Sequence, residues 1–511
     1  MRKHRVLILL SIFCLLLSGC TEQLLQEQSE VLPLPSLRPA PIASLGDVRS
    51  MQQVKQNIYV PDFSQGRLVV STEEITVEAG QSLAEPLLRR LLDRLRDVFP
   101  GMDGQELRLL QATNAVEETE ELITVNLAVS TNVMSKREQF FLGMAITNTL
   151  TELDGIHYVD VLVNGRDEGI DLLATIPCGV LTRYSSGDIL SRWAQEESQA
   201  AQSGSTADFR KITVLYYPTA DGHYLLPEIR TVTFQSYEPK NYLDVLLGEL
   251  AKDSTKADTC TILPPAELGY MLEQPEIISM GGSAVKLVRL SFLSAIDSYQ
   301  TVMGGNRAVF FASLTYTLAG FIPGVDGVII AIDGEPVLEV IGMDGQSLHF
   351  AEGVMTRDDF AGIVANQCTL YFPARDGSGL VAVRRPVDQQ LSTYPRTLLE
   401  QLLLGPQPFD SRTDILPVFP DSLSEADILG ITLEGDAALV NVSEEFAKTV
   451  HAQDRTRDRD WIYSMVNTLT ELRGIRSVWF YVEGEQLDFL GGAISTQGEF
   501  LRHPGLIVPS S

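Results

Sequence analysis

The chain is poor in cysteine, histidine, tryptophan and positive charge. It has Cys 5, His 6 and Trp 3 in 511 residues. The cysteines, at 14, 20, 178, 260 and 368, stand singly. No CxxC and no regular spacing marks a disulfide framework or a zinc ribbon. The histidines (His4, His157, His223, His349, His451 and His503) form no HExxH or other ligand pair, so no metal site is expected. No Walker loop is present, no GxGxxG follows a strand, and no GxSxG elbow offers a nucleophile. No cofactor is expected either. Lys+Arg 39 against Asp+Glu 67 leaves a formal net charge of -28. That excludes nucleic acid as an expected partner, because phosphate binding needs a basic surface. It also disfavours attachment to anionic lipid by charge.

Long apolar runs are scarce too, apart from Val6 to Leu17, which comes after Arg2, Lys3 and Arg5. This run is too short to span a bilayer in comfort and has the layout of a signal peptide. It ends in Leu17-Ser18-Gly19-Cys20, which resembles the bacterial lipobox. Residues 1–19 are therefore expected to be removed and Cys20 to be lipidated; the alternative is a plain secretion signal. Two or three acyl chains, at ~0.8 kcal/mol per buried CH₂, anchor stably where one does not. Residues 20–54 carry Pro33, Pro35, Pro39 and Pro41 among Gln, Ser and Glu and are expected to form an extended tether.

The overall composition is that of a globular protein, with 44% hydrophobic and 21% charged residues. The most informative property of the chain is internal repetition. Thr149-Leu150-Thr151-Glu152-Leu153-Asp154-Gly155-Ile156 returns as Thr468-Leu469-Thr470-Glu471-Leu472-Arg473-Gly474-Ile475. Thr317-Leu318 with Phe321, Gly324 and Val325 is a looser middle copy. Apolar residues at helical spacing precede each copy, and an alternating strand comes after it. Each strand closes on a turn at Asn164-Gly165, Asp333-Gly334 or Glu483-Gly484, the first two suited to tight hairpins. Earlier landmarks also recur. A first strand contains Ile58-Tyr59-Val60-Pro61, Leu215-Tyr216-Tyr217-Pro218 and Leu370-Tyr371-Phe372-Pro373. A leucine-striped helix and a middle strand come next in each third.

The spacing predicts an α/β chain of three tandem similar domains, each a mixed sheet with two helices mainly on one face. They are placed at 55–190, 208–358 and 366–500, with a linker at 191–207 and a tail at 501–511. Repeats of this length are whole domains, not turns of a solenoid.

The order of these landmarks resembles the GerM domain family of sporulation and spore-germination proteins. The third copy carries the clearest match: Thr369-Leu370-Tyr371-Phe372-Pro373, Leu402-Leu403-Leu404-Gly405-Pro406, Val440-Asn441-Val442-Ser443-Glu444-Glu445-Phe446 and Ser464 to Leu472. The resemblance implies a lipid-anchored extracytoplasmic protein without catalysis. It implies assembly with other envelope proteins or with itself, by analogy with ring-building domains between mother cell and forespore. The expected location is the outer face of the cytoplasmic membrane. Peptidoglycan is a further candidate partner, and a solute-binding or peptidoglycan-modifying lipoprotein is the alternative.

The residues themselves favour no enzyme. Glu152 and Glu471 match each other, but the middle copy has Gly320 there. Glu444 has no carboxylate counterpart at Val129 or Phe292, and these candidates, Glu445 included, read as surface or helix-end acids. The hydroxyls of Thr149 and Thr468 are expected to bond back to helix carbonyls. Trp193, Trp461 and Trp479 form no ligand cage, and Trp461 falls on an apolar helical face. One shared motif lies past the last strand. Gly179-Val180-Leu181-Thr182-Arg183 matches Gly353-Val354-Met355-Thr356-Arg357, whereas Gly492 to Thr496 in the third copy has no arginine. Arg183 and Arg357 are candidate contacts to a neighbouring domain or partner, against the plainer reading of structural arginines.

Overall fold

The computed structural model describes residues 44–509, except 100–106, 112–114, 130–133, 166–179, 186–193, 195–197, 199–207, 237, 257, 265–270, 281–284, 303–304, 323, 452–457, 487 and 491–493. Cys20, the signal peptide, Cys178, Trp193 and nearly all of the expected linker lie outside the described residues.

The first unit runs β1 (Val48–Arg49), β2 (Met51–Asp62), β3 (Arg67–Glu78), α1 (Ala84–Arg96), β4 (Leu107–Leu109), β5 (Val116–Glu118), β6 (Leu122–Val129), α2 (Lys136–Leu150), β7 (Tyr158–Val163) and β8 (Leu181–Thr182). The middle unit has β9 (Phe209–Pro218), β10 (Leu225–Phe234), α3 (Pro239–Leu250), β11 (Glu276–Met280), β12 (Val285–Phe292), α4 (Ala295–Val302) and α5 (Arg307–Ala319). It continues with β13 (Val325–Ile332), β14 (Glu335–Pro336), β15 (Glu339–Ile341), β16 (Ser347–His349) and β17 (Val354–Met355). The third has β18 (Ala365–Pro373), β19 (Leu380–Asp388), α6 (Pro395–Leu403), β20 (Ile428–Glu434), β21 (Ala437–Val442) and α7 (Glu444–His451). It ends with α8 (Asp458–Leu469), β22 (Ser477–Val482), β23 (Phe489–Leu490), β24 (Ile494–Ser495) and β25 (Phe500–Leu501).

One plan is used three times. A long antiparallel hairpin opens each unit: β2–β3, β9–β10 and β18–β19. A separate mixed sheet comes next, in which β6 pairs parallel with β7, β12 with β13, and β21 with β22. Parallel neighbours need a crossover, and α2, α5 and α8 supply it. A short antiparallel strand closes each sheet: β8, β17 and β25. The first helix is amphipathic, as its spacing requires. In α1, Leu87, Leu88, Leu91, Leu92 and Leu95 are buried. The second helix lies between the hairpin and the sheet and so needs apolar residues all round. In α5 every residue from Ala308 to Ala319 is buried.

The turns after the parallel pair hold two consecutive left-handed residues. Asn164 and Gly165 have φ 50 and 79, Asp333 and Gly334 50 and 87, and Glu483 and Gly484 51 and 81. This is the geometry of a two-residue hairpin turn that matches the sheet's twist. The Gly165 and Gly484 amides donate to the side-chain oxygens of Asn126 and Asn441, at 2.9 and 2.8 Å.

Two expected boundaries are corrected. The expected tether, 20–54, does not stay free to residue 54, because β2 already begins at Met51 and β1 pairs parallel with β20 of the third unit. The backbone groups of an edge strand are satisfied by this addition. Gly46 and Ser50 amides donate to Leu429 and Leu433 carbonyls, and Asp47 accepts from the Ile431 amide at 2.9 Å. Asp47 also pairs with Arg396 at 2.6 Å. The expected tail, 501–511, is joined to the third unit as far as Val508: β25 joins its sheet and the Val508 amide donates to the Leu380 carbonyl at 2.8 Å.

The units are not beads on a string. Leu122 and Val180 of the first unit belong to the apolar core of the middle one. Ala79 of the first belongs to the core of the third.

Candidate functional site

Three equivalent clusters organise the units. Each begins with the helix-ending threonine of the repeated Thr-Leu pair. Thr149, Thr317 and Thr468 accept a hydrogen bond from the backbone amide of Tyr59, Tyr216 and Tyr371, at 2.9, 3.1 and 3.1 Å. Besides any bond back to helix carbonyls, Thr149 and Thr468 thus accept from a strand. Their hydroxyls fasten the hairpin to the second helix, which explains why the threonine recurs in all three copies.

Beside each tyrosine lies an arginine. In the first unit the Tyr59 hydroxyl donates to Glu152 at 2.7 Å, and Arg183 pairs with Glu152. In the third, the Tyr371 hydroxyl donates to Glu471 at 2.6 Å and Arg502 pairs with Glu471. Arg502 is an arginine that motif matching along the chain does not find. The register aligns Val159 with Leu181, Val328 with Met355, and Val478 with Phe500. Arg183, Arg357 and Arg502 each stand two residues beyond the closing partner. The third copy of the motif is therefore Gly498-Glu499-Phe500-Leu501-Arg502, displaced from Gly492 by an insertion carrying β23 and β24. The signal was in the sequence, hidden by a local change of length.

The two outer clusters are half-exposed and self-contained. Burial alone would raise Glu152, but hydrogen bonds from Tyr59 and Arg183 outweigh it and hold the carboxyl below its usual range. Burial and the hydrogen bond to Glu471 push the Tyr371 phenol up to about 12. Asn148 and Asn467 complete the outer clusters by accepting from the Tyr184 and His503 amides.

The middle cluster departs from this scheme. Gly320 replaces the glutamate and Tyr316 replaces the asparagine. A side chain at Gly320 would meet the Arg357 guanidinium at 2.8 Å. Arg357 takes its carboxylate from the first unit instead: Glu117 of β5 lies 2.9 Å away. The Tyr316 hydroxyl donates to Glu117 at 3.1 Å, and the guanidinium stacks 4.1 Å over the Tyr316 ring. Arg357 is 4% exposed and Glu117 4%, so this pair is interior to the joined units.

Glu117 begins an acidic turn, Glu117-Glu118-Thr119-Glu120-Glu121, that reaches both neighbours. The Glu118 carbonyl accepts from Gln389 of the third unit at 2.9 Å, and its carboxylate faces Arg473 at 3.8 Å. Glu120 pairs with Arg384 at 3.1 Å, and Arg473 donates to the Asp154 carbonyl. The middle and third units meet where the Gln367 side-chain amide donates to Asp258 at 3.3 Å. A run of acids that composition alone would place on a solvated face is the point where three units join.

A cleft of about 560 Å³ lies against this turn, with Gln81, Asn366, Gln367, Gln389, Thr393 and Arg473 among its walls. Cys368 also lines it, and burial pushes its thiol up to about 12, away from nucleophilic character. The other sequence candidates do not converge there. Glu444 pairs with Lys448 at 3.0 Å on α7. Trp461 packs against Phe446, and Trp479 against Leu439 and Tyr481. Among the described residues no cluster of His, Cys, Asp or Glu could hold a metal ion.

The fold and the junction define a protein of three repeated α/β domains, fastened to one another through buried and half-buried side chains. Residues 55–169 and 369–488 match the model of the Germane family, described as sporulation and spore germination. The first and third units each match this family's model, and the middle unit repeats their plan.

Among solved structures, the tandem GerMN domains of the sporulation protein GerM from Bacillus subtilis match at 16% identity. That match covers 57% of this chain and 98% of that one, with a TM-score of 0.21. The first GerMN domain of the same protein matches at 21% identity, over 25% of this chain and 91% of that one, TM-score 0.21. A Clostridium perfringens chain described as a candidate lipoprotein matches at 19%, over 28% and 93%, TM-score 0.19. These TM-scores are too low to carry the arrangement of the units from one chain to another. No curated protein matches this chain.

Proposed function

We propose that the chain is a lipid-anchored, extracytoplasmic binding and assembly module of the cell envelope, without catalysis, acting in sporulation or spore germination. The single observation that carries this reading is the family match in two of three units. The triple junction supports it. Side chains that an enzyme would direct into a cleft are used here for structure: Glu117 joins two domains, and Glu152 and Glu471 brace their own units. Attachment at Cys20 would place the units on the outer face of the cytoplasmic membrane, and other envelope proteins or further copies are the proposed partners.

The test is crosslinking of the full chain in intact membranes, beside a deletion strain scored separately for sporulation, germination and growth. Capture of envelope partners and a defect confined to sporulation or germination are the expected results. A monomer without captured partners, in a strain with no such defect, would overturn the reading. Replacing Cys20 by serine should move the protein from the membrane to the soluble fraction.

The cleft favours a second reading, as a binder of peptidoglycan fragments. Its walls mix amides and hydroxyls with glutamates, Arg49 and Arg473, donors and acceptors that suit a polyhydroxylated ligand. Titration with soluble peptidoglycan fragments, with and without Gln389→Ala, separates this from pure scaffolding.

A further inference from the structure

The buried cluster between the first and middle units is unbalanced in charge. Glu117 of β5 lies opposite Thr124 of β6, which lies opposite Asp160 of β7. Opposed residues share a face, so Glu117 and Asp160 point the same way, toward Arg357. Asp160 is 3% exposed. Tyr216 of β9 and Tyr316 of α5 close the cluster from the middle unit, and Asp358, beside Arg357, adds negative field at Glu117. The single guanidinium is taken up by Glu117, by the Tyr216 hydroxyl at 3.4 Å and by the Tyr316 carbonyl at 3.4 Å. One Asp160 carboxyl oxygen, Oδ1, has no hydrogen-bond partner at all. A buried carboxylate without a donor is costly, and protonation relieves that cost.

We propose that the interface between the first and middle units holds one proton on the Glu117–Asp160 pair, and that losing this proton as the pH rises loosens the two units from each other. Burial, partly opposed by Arg357 and reinforced by Glu117, pushes Asp160 up to about 6. Burial also raises Glu117, against the pull of Arg357. The docked state therefore binds a proton more tightly than the opened state does. Docking is strongest below the ordinary carboxylate range. It weakens as the pH climbs from there to about 6, and stays at its weaker level above. The carboxyls titrate as a pair, so the proton is assigned to both.

The experiment uses the full mature chain with its native thiols replaced by serine. Spin labels are placed at exposed Lys55 of the first unit and exposed His349 of the middle unit. The distance distribution between them should be narrow at pH 5 and broad at pH 8. Asp160→Asn, which supplies a neutral group of the same shape, should stay narrow at both. A wild-type distribution unchanged from pH 5 to pH 8, or an Asp160→Asn chain that responds as the wild type does, overturns the proposal. Infrared spectroscopy gives an independent reading that tolerates any folding defect of the labelled chain. The folded wild type at pH 5 should show a protonated-carboxyl band that Asp160→Asn removes. Absence of that band in the wild type also overturns it.

Discussion

The outer units and the middle unit contain the same arginine in the same place and use it differently. In the first and third units it closes on a glutamate of its own unit, half in solvent. In the middle unit that glutamate is Gly320, and the arginine closes on Glu117 of another unit, in the interior. An ion pair at the surface contributes little, because water and salt screen it and both side chains lose freedom. A buried pair is different in kind. Its net contribution is modest, yet breaking it strands a charge in a dry environment. With no carboxylate at Gly320, the middle copy's arginine is a joint between domains where its counterparts are local braces.

This comparison can be broken most severely at Glu117. Glu117→Ala should cost about 3–5 kcal/mol, the range for stranding one member of a buried pair. Denaturant unfolding should show the loss, and the middle unit should become more open to proteolysis. Arg357→Ala should fall in the same range. Arg183→Ala and Arg502→Ala, at the equivalent outer positions, should each cost no more than about 1 kcal/mol, and added salt should shrink that cost. Equal losses for Arg183→Ala and Arg357→Ala would show that the contrast is false.

A smaller effect is expected at the strand addition. Asp47→Ala removes both the Arg396 pair and the acceptor for the Ile431 amide. A loss of ~1–2 kcal/mol should appear with faster hydrogen exchange at Ile431 in the third unit, although the mutated residue precedes the first. The smallest effect belongs to Glu120→Gln. Its pair with Arg384 is largely exposed, and a change under about 0.5 kcal/mol is expected from chemical denaturation.

Much of each unit was legible from residue order. The leucine spacing of α1 gave its buried stripe, and Asn164-Gly165 and Asp333-Gly334 announced their turns. These are local properties, in which side-chain period or a left-handed backbone selects residues within a few positions. The third arginine was harder to read. Arg502 keeps its register only relative to β22, and β23 and β24 displace it along the chain. The role of Thr149, Thr317 and Thr468 was likewise hidden, because their partners are strand amides some 90 or more residues earlier.

Residue order alone establishes the threefold repetition, the α/β class and the acidic balance. Each depends on composition or on short-range pattern. Three outcomes come from packing in space: the units form a joined body, residues 44–50 extend the third unit's sheet, and Glu117 completes the middle unit's cluster. They depend on which surfaces bury one another, and no short window of sequence holds that information. A glutamate in an acidic run reads the same whether water or an arginine from a distant repeat surrounds it, and only burial tells the two apart.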